Sequence, residues 1–250
     1  MDVESCLIFG GLDLKVLPVI QIIPRPFSLA FVLALLAQPV AAQAQGAPQA
    51  PRAAAPRLTA SAIRADKPPV VDGNLDDEVW RRAPPLGNFV QNEPFEGQPA
   101  TEKTEVRLLF DDSNVYVGVI CYDADPSQII MTDARRDAGL NDQDSVQIIF
   151  DTYRDHQNGF LFGTNAAGIQ YDAQVRNEGE ASSNAQTSGS GGGVNTNWNA
   201  TWDVKTRVTD IGWVAEFKIP LRTLRYGPPP QVWGLNVNRN IRRKREMVYW

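Results

Sequence analysis

The feature that most constrains the fold is a series of short segments in which apolar and polar residues alternate. From residue 58 onward these segments have the period-two pattern of half-buried β-strands, and Gly, Asn, Asp or Pro separates one from the next. Few helical patterns lie between them, so we predict an all-β fold: an antiparallel β-sandwich of immunoglobulin or jelly-roll type, not a parallel α/β sheet. The nine segments are LTASAIRA, TEVRLLFD, NVYVGVICYD, DSVQIIFDTY, GFLFGTN, GIQYDAQVR, TWDVKTRVT, GWVAEFKIP and VWGLNVNRNI.

A few short helices are also predicted, at DDEVWRRA, PSQIIMTDARR and PLRTLR. The first lies in VVDGNLDDEVWRRAP, where Asn74 is placed to cap a helix beginning near Leu75. Acidic residues follow in its first turn, where negative charge is favoured, and Val79 and Trp80 are expected to face inward. We therefore interpret this acidic stretch as part of the scaffold and not as a catalytic site.

The N-terminal part has the pattern of a secretory signal. Arg25 precedes an apolar core that is followed by small residues, with cleavage expected after Ala42 or Ala44. The residues before Arg25 make the charged region unusually long, so a start assigned too far upstream and an uncleaved anchor remain alternatives. We predict an exported bacterial protein, periplasmic or outer-membrane-associated. Its organisation is a signal peptide over residues 1–44, an Ala/Pro-rich linker over 45–57 and a β-domain over 58–250.

Composition argues against several classes of function. A net charge of −5 makes a nucleic-acid partner unexpected, because phosphate contacts need a clustered basic face. His156 is the only histidine, which excludes histidine-based triads and zinc sites, and no GxSxG, HExxH or paired CxxC motif is present. Cys121 lies in an apolar strand pattern and is expected to be buried and inert. The sequence therefore does not predict an enzyme.

Aspartates at the predicted strand ends leave a structural calcium ion open. Hard cations bind several carboxylate and carbonyl oxygens, and turn-rich β-domains supply both. Asp142 and Asp144 are the best candidate ligands, although turn and capping roles explain such residues without a metal.

The tryptophans indicate a different chemistry. A flat aromatic ring packs on the apolar face of a sugar, and nearby amides or charged groups bind its hydroxyls. Trp213 and Trp233 occur in register with core positions, whereas Trp202 opens a strand and is ambiguous. Trp198 follows a hydrophilic loop predicted to be mobile, residues 177–197, and lies among asparagines. It is the best candidate stacking platform.

Six motifs in this order resemble the family 9 carbohydrate-binding module: VVDGNLDDEVWRRAP, PATEKTEVRLLFDDSNVYVGVICYD, DQDSVQIIFDTY, NATWDVKTRV, GWVAEFKIPLRTLRY and WGLNVNRNIRRKRE. More narrowly, they resemble the version at the N-terminus of exported bacterial proteins whose remaining part resembles an outer-membrane barrel. The resemblance, over about residues 58–250, implies a non-catalytic sandwich with structural calcium that binds sugars in a slot between two tryptophans. It places Trp198 near one wall and Arg107 on a strand that supplies polar contacts; Trp80 matches a tryptophan that is structural in many members.

We therefore predict non-catalytic binding of a poly- or oligosaccharide by an exported β-sandwich. One alternative is a periplasmic structural or interaction domain continuous with a barrel missing from this chain, since the motif pattern of the family continues beyond Trp250. The other is a glycoside hydrolase, which needs two carboxylates flanking a cleft. The predicted ligand-binding residues are Trp198, Trp202, Arg107, Gln170, Asn197 and Asn199.

Overall fold

A computed structural model describes residues 58–177, 193–228 and 231–250, together with the backbone of residues 4–6. The rest of the predicted signal peptide and linker, and the centre of the predicted loop over residues 177–197, lie outside the described residues. The described strands are β1 Glu4–Cys6, β2 Thr59–Ser61, β3 Ile63–Arg64, β4 Val90–Glu93, β5 Thr104–Phe110, β6 Asn114–Tyr122, β7 Ser145–Asp151, β8 Gly159–Asn165, β9 Tyr171–Val175, β10 Val194–Asn195, β11 Asp203–Thr209, β12 Gly212–Pro220, β13 Gly234–Ile241 and β14 Glu246–Tyr249.

The strands form two large sheets, which confirms the predicted all-β class. The order β10-β9-β8-β7-β13-β14-β4 makes a seven-stranded antiparallel sheet, and β11-β12-β6-β5-β3 makes a five-stranded sheet in which only the β3–β5 pair is parallel. β1 and β2 pair separately. All nine predicted segments contain a strand, whereas β1, β4, β10 and β14 were not predicted. All four have only two to four residues, and β4 is mostly polar, so each carries a weak alternating pattern.

The core lies between the two sheets. Val106, Val117 and Phe217 of the five-stranded sheet and Ile148 and Phe162 of the seven-stranded sheet belong to one buried cluster. These inward positions alternate with outward ones along each strand, as the period-two pattern predicts.

Cys121 belongs to the same core. Its side chain is buried, and burial raises the pKa of the thiol to about 11, which keeps it protonated at neutral pH. The prediction of a buried cysteine is confirmed, and the raised pKa is what an inert thiol requires.

The predicted helices are shorter than expected. Helix α1 spans Glu78–Arg82 with Asp77 at its N-cap, so the predicted cap at Asn74 is wrong. The Asp77 carboxylate accepts a hydrogen bond from the backbone N–H of Val70 at 2.9 Å and does not cap the helix. The other described helical turns are 3₁₀: Pro126–Gln128, Leu221–Thr223 and Arg242–Lys244. No described helix has the length and apolar character needed to cross a membrane.

The segment after Gln128 is irregular because side chains take the backbone donors that a helix would use. The Asp144 carboxylate accepts from the N–H of Ile130 at 2.8 Å, and the Gln143 amide oxygen accepts from the N–H of Thr132 at 3.3 Å and of Asp133 at 3.4 Å. The predicted helix over residues 126–136 therefore stops after its first turn.

Helix α1 covers the outer face of the five-stranded sheet over a buried carboxylate, Glu216. Its Oε1 accepts from Trp80 Nε1 at 3.0 Å, and its Oε2 accepts from the N–H groups of Asp72 at 3.0 Å and Gly73 at 3.1 Å. Burial raises the pKa of Glu216 to about 7, although these hydrogen bonds oppose the rise. We call Glu216, Trp80, Asp72 and Gly73 the Glu216 cluster. It gives the stretch VVDGNLDDEVWRRAP the structural role that the sequence predicts.

Candidate functional site

Four polar side chains meet beside strand β9, close to one edge of the seven-stranded sheet. The guanidinium of Arg136 donates to the side-chain oxygens of Gln170 and Asp172, and to Asn199 Oδ1 at 3.0 Å. We call Arg136, Gln170, Asp172 and Asn199 the Arg136 cluster. Two of its members, Gln170 and Asn199, were predicted as ligand-binding residues, so the structure brings together residues that are distant in sequence.

Asp172 is the buried residue that holds this cluster together. Its carboxylate is buried, pairs with Arg136, and accepts from the backbone N–H of Ala200 at 2.6 Å and from Trp202 Nε1 at 3.1 Å. The Arg136 side chain is 38% exposed, so the guanidinium of this ion pair faces solvent while the Asp172 carboxylate is shielded from water. Charge-assisted hydrogen bonds of this kind hold a surface group in one orientation.

Trp198 lies beside the cluster and is half-buried. Its ring is tilted against Phe160, with centroids 5.2 Å apart, and meets Phe162 edge-on at 6.0 Å. Both phenylalanines are core residues of β8, which fixes the orientation of the indole. The turn before it is held by Asn195, whose carboxamide oxygen accepts from the N–H of Asn197 at 3.2 Å. Asn197 and Asn199 are exposed on either side of Trp198.

The structure places Trp202 in the core instead of at a stacking surface. Its ring is buried, lies nearly parallel to that of Phe217 at 5.7 Å and an interplanar angle of 5°, and meets Phe162 edge-on at 5.3 Å. Because these neighbours cover the indole, it offers no face to a sugar. Its contribution is indirect: Nε1 helps to hold Asp172, and the backbone carbonyl accepts from the Gln170 amide.

Arg107 also lies apart from the Trp198 surface. It projects from the outer face of the five-stranded sheet, and its guanidinium donates to the backbone carbonyls of Trp80 at 3.3 Å and Ala83 at 2.5 Å. Arg107 therefore closes the C-terminal end of helix α1, where carbonyl groups lack helical partners. The structure does not bring it together with Gln170, Asn197 or Asn199.

Arg136 and Asp172 were not identified from the sequence, although these two residues hold the other polar groups of the site in place. Arg136 was assigned to a helix, and Asp172 was one of many aspartates near strand ends. Tyr226, which is 41% exposed and whose ring lies 5.7 Å from that of Trp233, was also not considered in the sequence analysis. Trp233 in turn meets Phe150 edge-on at 6.0 Å, which confirms its predicted core position.

The two predicted calcium ligands, Asp142 and Asp144, differ in burial and in their partners. Asp142 is exposed and pairs with Arg242 at 3.0 Å, whereas Asp144 is buried, accepts from Ile130, and has a pKa raised mainly by burial. Within the described parts of the chain no group of three or more His, Cys, Asp or Glu side chains is placed to hold a metal. A calcium ion at this place would need further oxygen ligands beside these two carboxylates.

Comparison with known proteins agrees with this architecture. A family model described as Carbohydrate family 9 binding domain-like matches residues 71–247. The chain belongs to this family. A search of curated proteins found no match.

Among solved structures, a family 9 carbohydrate-binding module from Caldicellulosiruptor kristjanssonii in complex with glucose has a TM-score of 0.50 and 16% identity, covering 75% of this chain and 84% of that one. Its complex with cellotriose gives a TM-score of 0.50 and 15% identity over 75% and 81%. A putative carbohydrate-binding protein from Bacteroides uniformis has a TM-score of 0.54 and 9% identity over 76% and 87%. At these identities the likeness concerns the fold.

Proposed function

We propose that this domain binds a neutral saccharide non-covalently on the surface formed by Trp198 and the Arg136 cluster. The observation that carries the proposal is a half-buried indole fixed against Phe160 and Phe162 beside polar groups that Asp172 holds in place from the interior. Membership of a carbohydrate-binding family supports the ligand class.

The two parts of the surface match the two parts of a pyranose. The indole offers an aromatic plane to the C–H face of the ring, and Gln170 and Asn199 offer amide groups to the hydroxyls. Arg136 supplies a cation that donates several hydrogen bonds in a fixed plane. Because Arg136 is paired with Asp172 and also lies 3.4 Å from a carboxylate oxygen of Asp137, the site has no surplus positive charge, and a neutral ligand suits the surface better than an anion.

Glucose and cellotriose are the first ligands to test, because structural relatives of this family were solved with them. Stacking of a nucleobase on an aromatic side chain is worth about 1–3 kcal/mol by alanine substitution, and a sugar should gain a similar or smaller amount. We therefore expect micromolar to millimolar affinity, with Trp198 as the largest single contributor.

Isothermal titration calorimetry with cellotriose tests this proposal. Trp198→Ala should weaken binding by at least about fivefold, which corresponds to the lower end of the stacking range. Phe95→Ala is the matched control, since Phe95 is 67% exposed on a different loop and its loss should leave affinity unchanged. Equal affinity of wild type and Trp198→Ala would refute the assignment.

We further propose that the domain acts after export and contributes binding without catalysis. The N-terminal signal pattern supports export, and the residues of the Arg136 cluster hold their carboxylate in a buried ion pair, which is unsuited to acid–base work on a sugar. Detection of the mature N-terminus in a periplasmic extract, and assays for hydrolysis of oligosaccharides by the purified chain, test these two points.

Calcium stays a prediction. Thermal melting in calcium and in chelator tests it: calcium-dependent stabilisation that Asp142→Asn and Asp144→Asn remove would support a structural ion at these residues, and no dependence would argue against a structural ion.

A further inference from the structure

The outer face of the seven-stranded sheet carries a row of amide side chains opposite one another on neighbouring strands. Asn238 of β13 pairs in register with Gln147 of β7 and with Tyr249 of β14. Asn236 lies two residues before Asn238 and therefore on the same face. Inward positions confirm the assignment, because the alternate residues Ile148 and Val237 are buried in the core. We call Gln147, Asn236 and Asn238 the amide strip.

The hydrogen-bonding groups of this strip are largely unused. Neither Gln147 nor Asn238 makes a side-chain hydrogen bond to another described residue, and Asn238 Oδ1 is buried without a partner. Asn236 makes one long contact, to the Trp250 carbonyl at 3.5 Å. By contrast Asn240, the next outward residue of β13, donates to the carbonyls of Asn141 and Gln143 at 2.8 and 2.9 Å. A buried polar atom without a hydrogen bond is costly, so Asn238 Oδ1 marks a place on this strip where a partner would stabilise the protein.

The chemistry around the strip selects the partner. The three amides are half-buried, and their cross-strand partners outside the strip are Ile149, Tyr249 and Gly163, none of them charged. Side chains on three adjacent strands span about 10 Å, because strands in a sheet lie about 4.7–4.9 Å apart. An extended, uncharged chain that carries many hydroxyls fits this combination, since amides bind hydroxyls as donors and acceptors and the Tyr249 ring can pack on an apolar face.

This face is separate from the site around Trp198. Asp172 pairs in register with Phe162 and points toward the interior with it, whereas Gln147 pairs with Gly163 and points outward. The two surfaces therefore lie on opposite sides of one sheet. A residue changed on one side does not contact a ligand bound on the other.

We propose that the amide strip is a second saccharide-binding site, which takes an extended neutral oligosaccharide across β7, β13 and β14. Its ligand class rests on the proposed function, but its residues do not overlap with the Arg136 cluster. Two sites on opposite faces would let one domain contact two chains, or two parts of one chain, and so raise its avidity for a polysaccharide.

Nuclear magnetic resonance of the side-chain amide groups, titrated with cellotriose, tests the proposal. In wild type and in Trp198→Ala, the Gln147 and Asn238 signals should shift in a concentration-dependent way, and glucose at equal concentration should shift them less. In the Trp198→Ala background, Gln147→Leu combined with Asn238→Leu should weaken the residual binding at least tenfold. Gln128→Leu, which removes an exposed amide outside the strip, should not change it. Circular dichroism and melting temperature establish that each variant is folded.

The outcomes separate this proposal from the first. The Trp198 indole signal could shift while the Gln147 and Asn238 amide signals do not, even at ten times the cellotriose concentration that saturates the Trp198 shift. In that case the second site is refuted and the first stands. If the amides shift in Trp198→Ala and the double leucine substitution weakens the residual binding at least tenfold, the second site is supported whatever the result at Trp198. If no signal moves in any protein, both proposals are refuted.

Discussion

Two tryptophans in this molecule donate an indole N–H to a buried carboxylate, and the two pairs differ in what surrounds them. Trp80 donates to Glu216, whose remaining hydrogen bonds come from the backbone of Asp72 and Gly73, so the Glu216 cluster is closed. Trp202 donates to Asp172, whose other partners include Arg136, a side chain 38% exposed. The same indole–carboxylate pair therefore holds buried segments together in the Glu216 cluster and orients a surface side chain in the Arg136 cluster.

The difference shows how to separate scaffold from site in a β-sandwich. Both carboxylates are buried, so burial alone does not distinguish them. The two carboxylates differ in their other hydrogen-bond partners. Glu216 is bound by backbone N–H groups of Asp72 and Gly73, whereas Asp172 is bound by the guanidinium of Arg136, which faces solvent beside Trp198. Substitutions in the Glu216 cluster should affect mainly folding, and substitutions in the Arg136 cluster should affect folding less and binding more.

The largest expected effect is on the closed cluster. Glu216→Ala leaves three N–H donors without an acceptor, two of them in the buried hydrogen bonds of Trp80 and Gly73, so the free energy of unfolding should fall by about 3–5 kcal/mol. Urea denaturation followed by tryptophan fluorescence measures it. Asp76→Asn is the control, because Asp76 is an exposed carboxylate in the same segment and its loss should change stability little. A change below about 1 kcal/mol in Glu216→Ala would show that the cluster does not anchor helix α1.

The second prediction concerns the open cluster. Asp172→Asn removes the charge that holds Arg136 and should lower the free energy of unfolding by about 2–3 kcal/mol, less than at Glu216 because water can solvate the released guanidinium. Cellotriose binding should weaken about tenfold as Arg136 and Asn199 lose their orientation. Calorimetry and urea denaturation measure the two effects, with Asp203→Asn, an exposed neighbour, as control. Unchanged cellotriose binding by a folded Asp172→Asn protein would contradict the binding role assigned to the Arg136 cluster.

The third prediction is a pH dependence of stability at the closed cluster. Because the pKa of Glu216 is raised from 4.5 to about 7, the folded state binds its proton more tightly than the unfolded state does. The stability that this proton contributes is fully present below the ordinary pKa and is lost as the pH rises through about 7.

The wild-type free energy of unfolding, relative to that of Glu216→Gln, should therefore fall by about 2 kcal/mol between about pH 5 and about pH 8. Denaturation curves at several pH values measure it. A difference that is constant or rises with pH would contradict the raised pKa.

Much of the fold could be predicted from the sequence because it depends on local patterns. The alternation of apolar residues located strands β5 to β9 and β11 to β13, and the turn at Asp72 and Gly73 marked the segment that covers the sheet. Trp80, Trp213 and Trp233 were assigned to structural positions for the same reason, and all three are buried.

The candidate site could be predicted only in part, because it depends on pairs distant in sequence. Arg136 and Asp172 are 36 residues apart, and nothing local indicates that an arginine in an apparent helix pairs with an aspartate in a strand. Trp202 looked like a possible platform because its pattern does not show that Phe217 covers its ring. Trp198 and Asn199 were predicted from composition near a polar loop, and Gln170 was predicted as a hydroxyl contact; the structure adds the cation and carboxylate that position Gln170 and Asn199.

One measurement tests the central claim most directly: a ¹H–¹⁵N spectrum of the six tryptophan indole groups recorded while cellotriose is added. The Trp198 signal should move most, the Trp202 signal should move less through its bond to Asp172, and the signals of Trp80 and Trp213 should stay in place. A Trp198 signal that does not move at saturating cellotriose, or a Trp80 signal that moves as far as that of Trp198, would contradict the distinction between an open and a closed cluster.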